Sequence, residues 1–284
     1  MAEGVSISEC WMDLAGKRLR YLQGGAGRPA VLLHGFLGGS FCWRFTLPVL
    51  ARQYRVYALD LPGLGISEAD AQTDCGMAAQ AVCVQQFIEK LGLRHVDLIG
   101  CSFGGAVALH VALQEKRLKA GRLRSLVLAA PVNPWSRFGR KRLAVLRTSA
   151  GGMLLRLAMP YSRPLLPWAL RRLYADPACI PAGTLEGYSP LILGSGRAAH
   201  VLSAIRSWKR DVEVLRTCPG AIDVPTLLVW GDRDRAVDPA SCEALQQCFT
   251  DCEVRRLPGV GHLPFEEAPE EFNRVVMEFL GKSN

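Results

Sequence analysis

The sequence predicts an α/β fold, in which a mostly parallel β-sheet carries α-helices on both faces and a helical cap is inserted late in the chain. Short apolar stretches of strand length alternate with stretches in which apolar residues recur at helical spacing. The strand-length stretches are almost continuously apolar, which is typical of strands that helices cover on both faces. With 284 residues, the chain has the size of one such domain carrying an insertion.

Each element of this alternation is predicted from its local pattern. Apolar runs mark the strands, which are expected at residues 17–22, 30–34, 54–60, 95–100, 123–129, 226–230 and 253–257. Amphipathic spacing marks the helices, which are expected at residues 41–53, 76–91, 103–116, 239–249 and 267–280. Asp74 precedes the second of these helices and is predicted to cap its N-terminus.

The segment 134–217 interrupts the alternation and is rich in Arg, Pro and Leu. It is predicted to be a mainly helical cap, or lid, inserted into a core domain formed by residues 1–133 and 218–284. The positive charge of the chain is concentrated there. Residues 133–216 hold 14 Lys and Arg against 4 Asp and Glu, whereas the remainder of the chain holds 20 against 22.

The basic cap allows two interpretations. The sequence favours a solvated helix face on which arginine stems pack against apolar neighbours. Alternatively, clustered Lys and Arg with intervening Leu, Met and Trp could make weak contact with an anionic membrane surface and admit lipid-like esters. Nucleic acid is not expected as a partner, because no nucleic-acid-binding motif is present. The sequence does not indicate an oligomeric state.

The cysteine pattern and the N-terminal sequence indicate in which cellular compartment the protein is expected. The ten cysteines are scattered, form no CxxC pair and lie mostly in apolar segments, so free thiols in a reducing cytoplasm are expected. No His or Cys cluster has metal-ligand spacing, and neither a metal nor a cofactor is expected. No apolar run approaches the roughly 20 residues that span a bilayer. Residues 1–16 lack a basic n-region and an apolar h-region, so a signal peptide is not expected.

A candidate nucleophile lies between a predicted strand and a predicted helix. The segment Gly100-Cys101-Ser102-Phe103-Gly104 has the pattern G-x-S-x-G, which in this context is typical of a nucleophile elbow. A sharp strand-to-helix turn would expose the serine hydroxyl in a strained conformation. The helix N-terminus beneath it would favour negative charge near the serine.

A serine hydroxyl needs a base and a group that orients that base, and candidates for both follow later strands. Three aspartates come after the strand at 226–230: Asp232, Asp234 and Asp238. N-capping of the next helix explains Asp238, and Asp232 could serve the turn. His262 lies in a glycine-rich loop after the strand at 253–257.

Five segments in the right order resemble the α/β-hydrolase superfamily over essentially the whole chain. The chain is most similar to the branch of esterases, lipases and carbon–carbon hydrolases. The matching segments are His34-Gly-Phe, Asp60-Leu-Pro-Gly-Leu-Gly-Ile-Ser, Gly100-Cys-Ser-Phe-Gly-Gly, Trp230-Gly-Asp-Arg-Asp and Gly261-His262-Leu-Pro-Phe-Glu-Glu-Ala-Pro.

The resemblance implies a role for each candidate residue. Ser102 would be the nucleophile, His262 the general base, and Asp234 the acid that orients the base. The oxyanion hole would consist of the backbone N–H groups of Phe36 and Phe103. The substrate would contact Phe36, Phe103 and Trp208. His34, Asp60 and residues 63–65 are expected to shape the site rather than to act on the substrate.

The resemblance leaves several reactions open, because the fold does not determine the chemistry. Relatives with an aspartate nucleophile are disfavoured by Ser102, and they tend to carry Pro where this chain has Leu37. Acyl transfer to water from an ester, a thioester or an amide, or cleavage of a vinylogous diketone, remains possible. Because a complete triad would lie beneath a cap rich in Leu, Pro and Trp, the predicted substrate is a carboxylic ester with an apolar acyl or alcohol portion, cleaved through an acyl-enzyme.

Two alternatives remain. One is a C–C bond hydrolase acting on meta-ring-cleavage dienoates. It would use a cap arginine, either Arg206 or Arg210, and usually has Trp where Leu263 follows His262. The other is a non-catalytic ligand-binding or accessory protein on the same fold. Such proteins typically lose one triad member, and none is missing here.

Overall fold

The central sheet is described by a computed structural model that covers residues 5–14, 16–136, 140–193, 196–217 and 220–282. Within those residues, eight strands hydrogen-bond in the order β1-β2-β4-β3-β5-β6-β7-β8. Strands β1 and β2 pair antiparallel with each other, β2 pairs antiparallel with β4, and the six strands from β3 onwards are parallel. The strands are β1 (Ile7–Leu14), β2 (Lys17–Gly24), β3 (Arg28–Leu33), β4 (Tyr54–Leu59), β5 (Val96–Cys101), β6 (Leu123–Ala129), β7 (Thr226–Gly231) and β8 (Cys252–Leu257).

All seven predicted strands are present, and β1 is an eighth that the sequence pattern does not predict. Only Leu14 of β1 is buried, and the other residues are exposed or half-buried. An edge strand of this kind has no continuous apolar run in its sequence. It forms because it hydrogen-bonds to β2, and its own residue pattern does not predict it.

The helices of the described residues cover both faces of the sheet. Alternate residues of β3 show the two layers: Val31 and Leu33 pack in the core that contains α2 and α3, and Ala30 and Leu32 pack in the core that contains α11. The helices are α1 (Leu47–Leu50), α2 (Met77–Lys90), α3 (Ser102–Leu118), α4 (Arg140–Leu146), α5 (Ser149–Ala158), α6 (Leu166–Arg171), α7 (Thr184–Leu193), α8 (Arg197–Glu213), α9 (Ser241–Gln246), α10 (Pro264–Glu267) and α11 (Pro269–Lys282).

Three of the predicted helices have different bounds in the structure. The helix expected at 41–53 is instead a 3-10 turn, Ser40–Trp43, followed by the short α1. Pro48 in the first turn of α1 has no N–H to donate and would clash with the carbonyl of residue 44, so one continuous helix cannot form. Pro269 likewise separates α11 from α10, and α9 is shorter than the predicted 239–249.

The prediction that Asp74 is the N-cap of α2 is wrong by two residues. Gly76 occupies the N-cap position and makes no side-chain capping bond. The Asp74 carboxylate instead accepts a hydrogen bond from the Gly76 N–H at 2.8 Å, which stabilises the turn before the helix.

The segment between β6 and β7 is helical, as predicted, and contains α4 to α8. Part of it is buried with the main domain: Leu170, Tyr174, Tyr188 and Leu191 belong to the same core as Trp43. The division of the chain into core and cap at residues 134 and 217 stays a prediction, and residues 218 and 219 lie outside the described residues. No helix of the described residues is long and apolar enough to cross a membrane.

Candidate active site

Ser102 lies at the turn from β5 into α3, where its backbone has a φ of +51°. This left-handed conformation is costly for a residue with a side chain. Glycines make it possible by allowing close backbone contacts. A Cβ on Gly100 would lie 2.5 Å from the Gly104 carbonyl oxygen, and one on Gly104 would lie 2.4 Å from the His34 carbonyl oxygen. The turn therefore requires glycine on both sides of the serine, as the G-x-S-x-G pattern predicts.

His262 and Asp234 form a buried pair. The His262 Nδ1 lies 2.8 Å from the Asp234 Oδ2, and both side chains are at most 5% exposed. The other carboxylate oxygen accepts hydrogen bonds from the N–H groups of Ala236 at 2.7 Å and Val237 at 3.0 Å. Because a carboxylate only accepts, the proton of a neutral His262 lies on Nδ1, and Nε2 keeps the lone pair that a general base needs.

The structure distinguishes the three candidate aspartates. Asp232 accepts a hydrogen bond from the Gly259 N–H at 2.7 Å, which connects the loops that follow β7 and β8. Asp238 accepts from the Ala240 N–H at 3.1 Å, just before α9. Among these three, Asp234 is the one whose side chain bonds the His262 ring.

The candidate triad residues follow β5, β7 and β8, which are parallel. Because parallel strands place their carboxyl ends at one edge of a sheet, all three residues lie at the same edge. Among the described residues, no hydrogen bond joins the Ser102 hydroxyl to the His262 ring. Catalytic hydrogen bonds of this kind are often long without substrate and shorten in the substrate complex. The serine–histidine contact therefore stays a prediction.

The turn that contains Phe36 lies directly against the nucleophile. A Cβ on Gly35 would lie 3.3 Å from the Ser102 Cβ, and the turn is closed by a hydrogen bond from the Gly38 N–H to the Gly35 carbonyl at 3.1 Å. Phe103 stands in the first turn of α3, where backbone N–H groups have no intrahelical acceptor. Both positions therefore suit donors to a developing oxyanion.

His34 supports this turn. Its Nε2 accepts a hydrogen bond from the Leu61 N–H at 2.9 Å, so its Nδ1 carries the proton that points to the Gly35 carbonyl at 2.8 Å. Burial lowers the pKa of His34, which keeps the ring neutral in this arrangement. Asp60 is also structural, because its carboxylate accepts from the Ser40 N–H and pairs with Arg20.

Three aromatic rings meet beside the turn. The ring centroids of Phe36, Phe103 and Trp208 are 5.4 to 5.6 Å apart in all three pairings. Phe36 and Trp208 line a cavity of about 740 Å³, whereas Phe103 is fully buried and does not line it. Phe103 therefore supports the other two rings and offers its N–H, and it is not a wall of the cavity.

The cavity has further walls that sequence reasoning does not identify. Ala236 and Val237 line it directly after Asp234, and cap residues form its opposite side. The cap contributes Leu143, Ala144, Arg147, Lys209, Val212 and Glu213. No sequence motif marks these residues, because their position depends on how the cap packs on the core.

Glu266 is a second feature that sequence reasoning misses. This buried carboxylate lies four residues after His262 in α10 and accepts hydrogen bonds from the phenols of Tyr174 and Tyr188 in the cap segment. It also pairs with Arg44 at 2.9 Å. Burial, together with the nearby carboxylate, raises the pKa of both phenols, which keeps them protonated as donors. The network connects the cap to the loop that carries the candidate base.

The described cysteines other than Cys248 are free thiols, and Cys218 lies outside the described residues. Burial raises the pKa of Cys75 to about 12 and that of Cys83 to about 11. Such thiols are poor nucleophiles at neutral pH. Within the described residues, no group of three or more His, Cys, Asp or Glu side chains could hold a metal ion.

Known proteins resemble this chain over most of its length. A 33% identical relative from Pseudomonas putida, the dihydrolipoyllysine-residue acetyltransferase component of the acetoin cleaving system, matches 95% of this chain and 68% of its own. Haloalkane dehalogenase 2 of Mycobacterium tuberculosis is 27% identical, over 95% of this chain and 94% of its own. A solved structure described as a membrane phospholipase A, a bacterial virulence factor, superposes with a TM-score of 0.81 at 26% identity, covering 99% of this chain and 87% of its own.

The sequence profile of one family matches residues 30–275, a range that runs from β3 to α11 and includes the elbow and the buried pair. The profile carries the description "Alpha/beta hydrolase family". Together with the strand order and the turn at Ser102, this match shows that the chain belongs to the alpha/beta hydrolase family.

Proposed function

We propose that the protein hydrolyses carboxylic esters through an acyl-enzyme formed on Ser102. The observation that carries the proposal is the buried hydrogen bond between Asp234 and His262 at the sheet edge where Ser102 begins α3. This bond supports a histidine with an unprotonated Nε2, which in the proposal takes the proton of the hydroxyl at the strained Ser102 turn.

The reaction would proceed in two halves. In the first, Ser102 Oγ attacks the ester carbonyl carbon while its proton passes to Nε2 of His262. The resulting oxyanion accepts hydrogen bonds from the N–H groups of Phe36 and Phe103, each worth about 3 kcal/mol of barrier. The intermediate then expels the alcohol, which takes the proton from His262. In the second half, water gives a proton to His262 and attacks the acyl-enzyme, and the acid leaves as Ser102 regains its proton.

The walls of the cavity support an apolar substrate portion. Phe36, Val132, Leu143, Trp208 and Val237 are among the residues that line the cavity, whereas Ser102 and His262 are not, and its volume of about 740 Å³ is large enough for a small-molecule ester. One similar solved structure is described as a membrane phospholipase A, which also supports ester chemistry. Residue 102 is Ser, so the aspartate chemistry expected of dehalogenases has no nucleophile at this turn.

The C–C hydrolase alternative is less well supported. Arg206 is exposed, and the Arg210 side chain is 70% exposed and pairs with Asp211. Neither arginine lines the cavity, so neither is placed to hold the carboxylate of a dienoate there; the cap arginine that lines it is Arg147. Leu263, which stands where relatives of that type usually have Trp, is buried in the core.

The proposal is tested with p-nitrophenyl esters whose acyl chains lengthen from acetate to laurate. We expect turnover by the intact protein and none by Ser102→Ala, and labelling by a fluorophosphonate probe only when Ser102 is present. Thermal unfolding of both proteins controls for folding. If the intact protein takes up no probe and turns over no ester, the proposal fails. If the protein turns over no ester but removes the visible absorbance of a ring-cleavage dienoate, the C–C alternative is favoured.

We also propose a cytoplasmic location, which the free thiols of the described cysteines other than Cys248 support. Immunodetection of the protein in fractions of its source cells would test it. Recovery from an oxidising compartment with its cysteines paired would contradict it.

A further inference from the structure

The cap carries a concentration of exposed apolar side chains. Six large hydrophobic residues between positions 153 and 168 are 56% to 82% exposed: Met153, Leu154, Leu157, Tyr161, Leu165 and Trp168. We call these six residues the cap apolar face. Single exposed hydrophobic residues are normal on protein surfaces, but a contiguous group marks a surface that binds something.

The residues of the cap apolar face are exposed because α5 has apolar side chains on two sides, of which only one packs against the rest of the protein. Gly151, Leu155 and Met159 recur at a spacing of four and face inward, where Leu155 and Met159 pack with Val201 and Ile205 of α8. The inward side of α5 is therefore already occupied. Met153, Leu154 and Leu157 lie between these positions on α5 and point outward, because a helix cannot bury both sides against one neighbour. Tyr161, Leu165 and Trp168 follow α5 and are also exposed.

The stretch of sequence that carries this face has charge of a single sign. No Asp or Glu occurs between Glu115 and Asp176, whereas residues 137–175 hold nine Lys and Arg. The arginines with described side chains in that segment are all exposed, and none forms an ion pair within the described residues. They are Arg147, Arg156, Arg163, Arg171 and Arg172. The Arg172 guanidinium lies over the Trp168 ring at 5.0 Å.

We propose that the cap apolar face docks on the surface of an anionic phospholipid bilayer. Leucine, methionine and aromatic side chains insert at the boundary between headgroups and acyl chains, and arginines that form no ion pair with a carboxylate bind lipid phosphates. Arg binds phosphate strongly because its planar group can make two parallel hydrogen bonds. Since no helix of the described residues is long and apolar enough to span a bilayer, the contact is peripheral.

Docking would deepen the proposed function by specifying where its substrate comes from. Leu143 and Arg147 line the cavity and belong to the same cap segment as the face, so the cavity would lie near the lipid surface. The inference about delivery rests on the proposed ester hydrolysis. The docking itself needs no turnover and is measured with inactive Ser102→Ala protein, so that the two proposals fail separately.

The test is co-sedimentation with vesicles of phosphatidylcholine, with and without phosphatidylglycerol. We expect binding to the anionic vesicles that weakens as salt is raised, because salt screens charge. The double variant Leu154→Glu/Leu157→Glu should lose at least tenfold in vesicle affinity. The matched control is Leu118→Glu, at an exposed leucine at the end of α3 that is 58% exposed. It should bind vesicles as the parent protein does.

Both variants should keep the parent's melting temperature and, when made with Ser102 intact, the parent's turnover of a soluble acetate ester, which excludes misfolding. No binding to anionic vesicles at low salt would overturn the proposal, and so would equal binding by the double variant. Sedimentation velocity provides the remaining check. A dimer that the double variant converts to a monomer, with no vesicle binding by either, would show that a second copy covers the face and would likewise overturn the proposal.

Discussion

The substitution Asp234→Asn tests the candidate triad most directly, because the surroundings of this side chain determine how an amide must sit there. Two backbone N–H groups, of Ala236 and Val237, point at one oxygen of the residue, so the amide oxygen must occupy that position. The amide NH₂ is then left facing the His262 Nδ1 at the former 2.8 Å contact. A donor at that position requires Nδ1 to be unprotonated, and the proton of the neutral ring moves to Nε2.

A protonated Nε2 cannot take the proton of Ser102, and the base is lost although its position is kept. The same substitution in serine proteases lowers kcat by about 10⁴-fold, which corresponds to about 5.5 kcal/mol of barrier at about 1.4 kcal/mol per tenfold. We expect a loss of that order here. The measurement is kcat on the best p-nitrophenyl ester, with the melting temperature recorded to show that the fold is retained.

Asp232→Asn is the matched control, because this exposed carboxylate lies two residues away on the same loop and bonds the Gly259 N–H instead of the histidine. We expect its kcat to stay within a fewfold of the parent's. A folded Asp234→Asn protein that retained more than a tenth of the parent kcat would refute the reasoning. Equal losses in the two variants would also refute it, because they would indicate a general effect on the loop.

Three further predictions concern the elbow, the buried histidines and the thiols. Gly104→Ala should unfold at a markedly lower temperature in a thermal melt, or fail to fold, since its Cβ would lie 2.4 Å from the His34 carbonyl oxygen; a parent-like melt with full activity would contradict this. Burial lowers the pKa of His34 and His110 in the folded protein, so the unfolded chain binds more protons below about pH 6.5. The free energy of unfolding by urea should therefore fall as pH is lowered from 7.5 to 5, and no fall, or a rise, would count against neutral buried rings. Burial raises the pKa of Cys75 and Cys252 to about 12, so a thiol reagent at pH 8 should modify far fewer cysteines before denaturation than after it, and equal counts would disprove this.

The sequence determined much of this protein, because several of its signals are local. The buried strands are recognisable because a strand covered on both faces must be apolar throughout. The elbow is recognisable because backbone contacts closer than 3 Å exclude any side chain at Gly100 and Gly104. His262 and the aspartates could also be predicted as site residues from the sequence, because they follow strands whose carboxyl ends meet at one edge of the sheet.

Only the tertiary structure decided the features that depend on contacts between distant segments. Of the three aspartates after β7, Asp234 is paired with His262 by the way two loops pack, and the spacing of the residues themselves leaves that choice open. The edge strand β1 depends on its partner β2, and the Glu266 network connects residues far apart in the chain. The sequence shows that the cap contains apolar residues, but for the same physical reason it does not show that the residues of the cap apolar face are exposed. An amphipathic pattern shows that a helix has an apolar side, but only packing shows whether another element covers it.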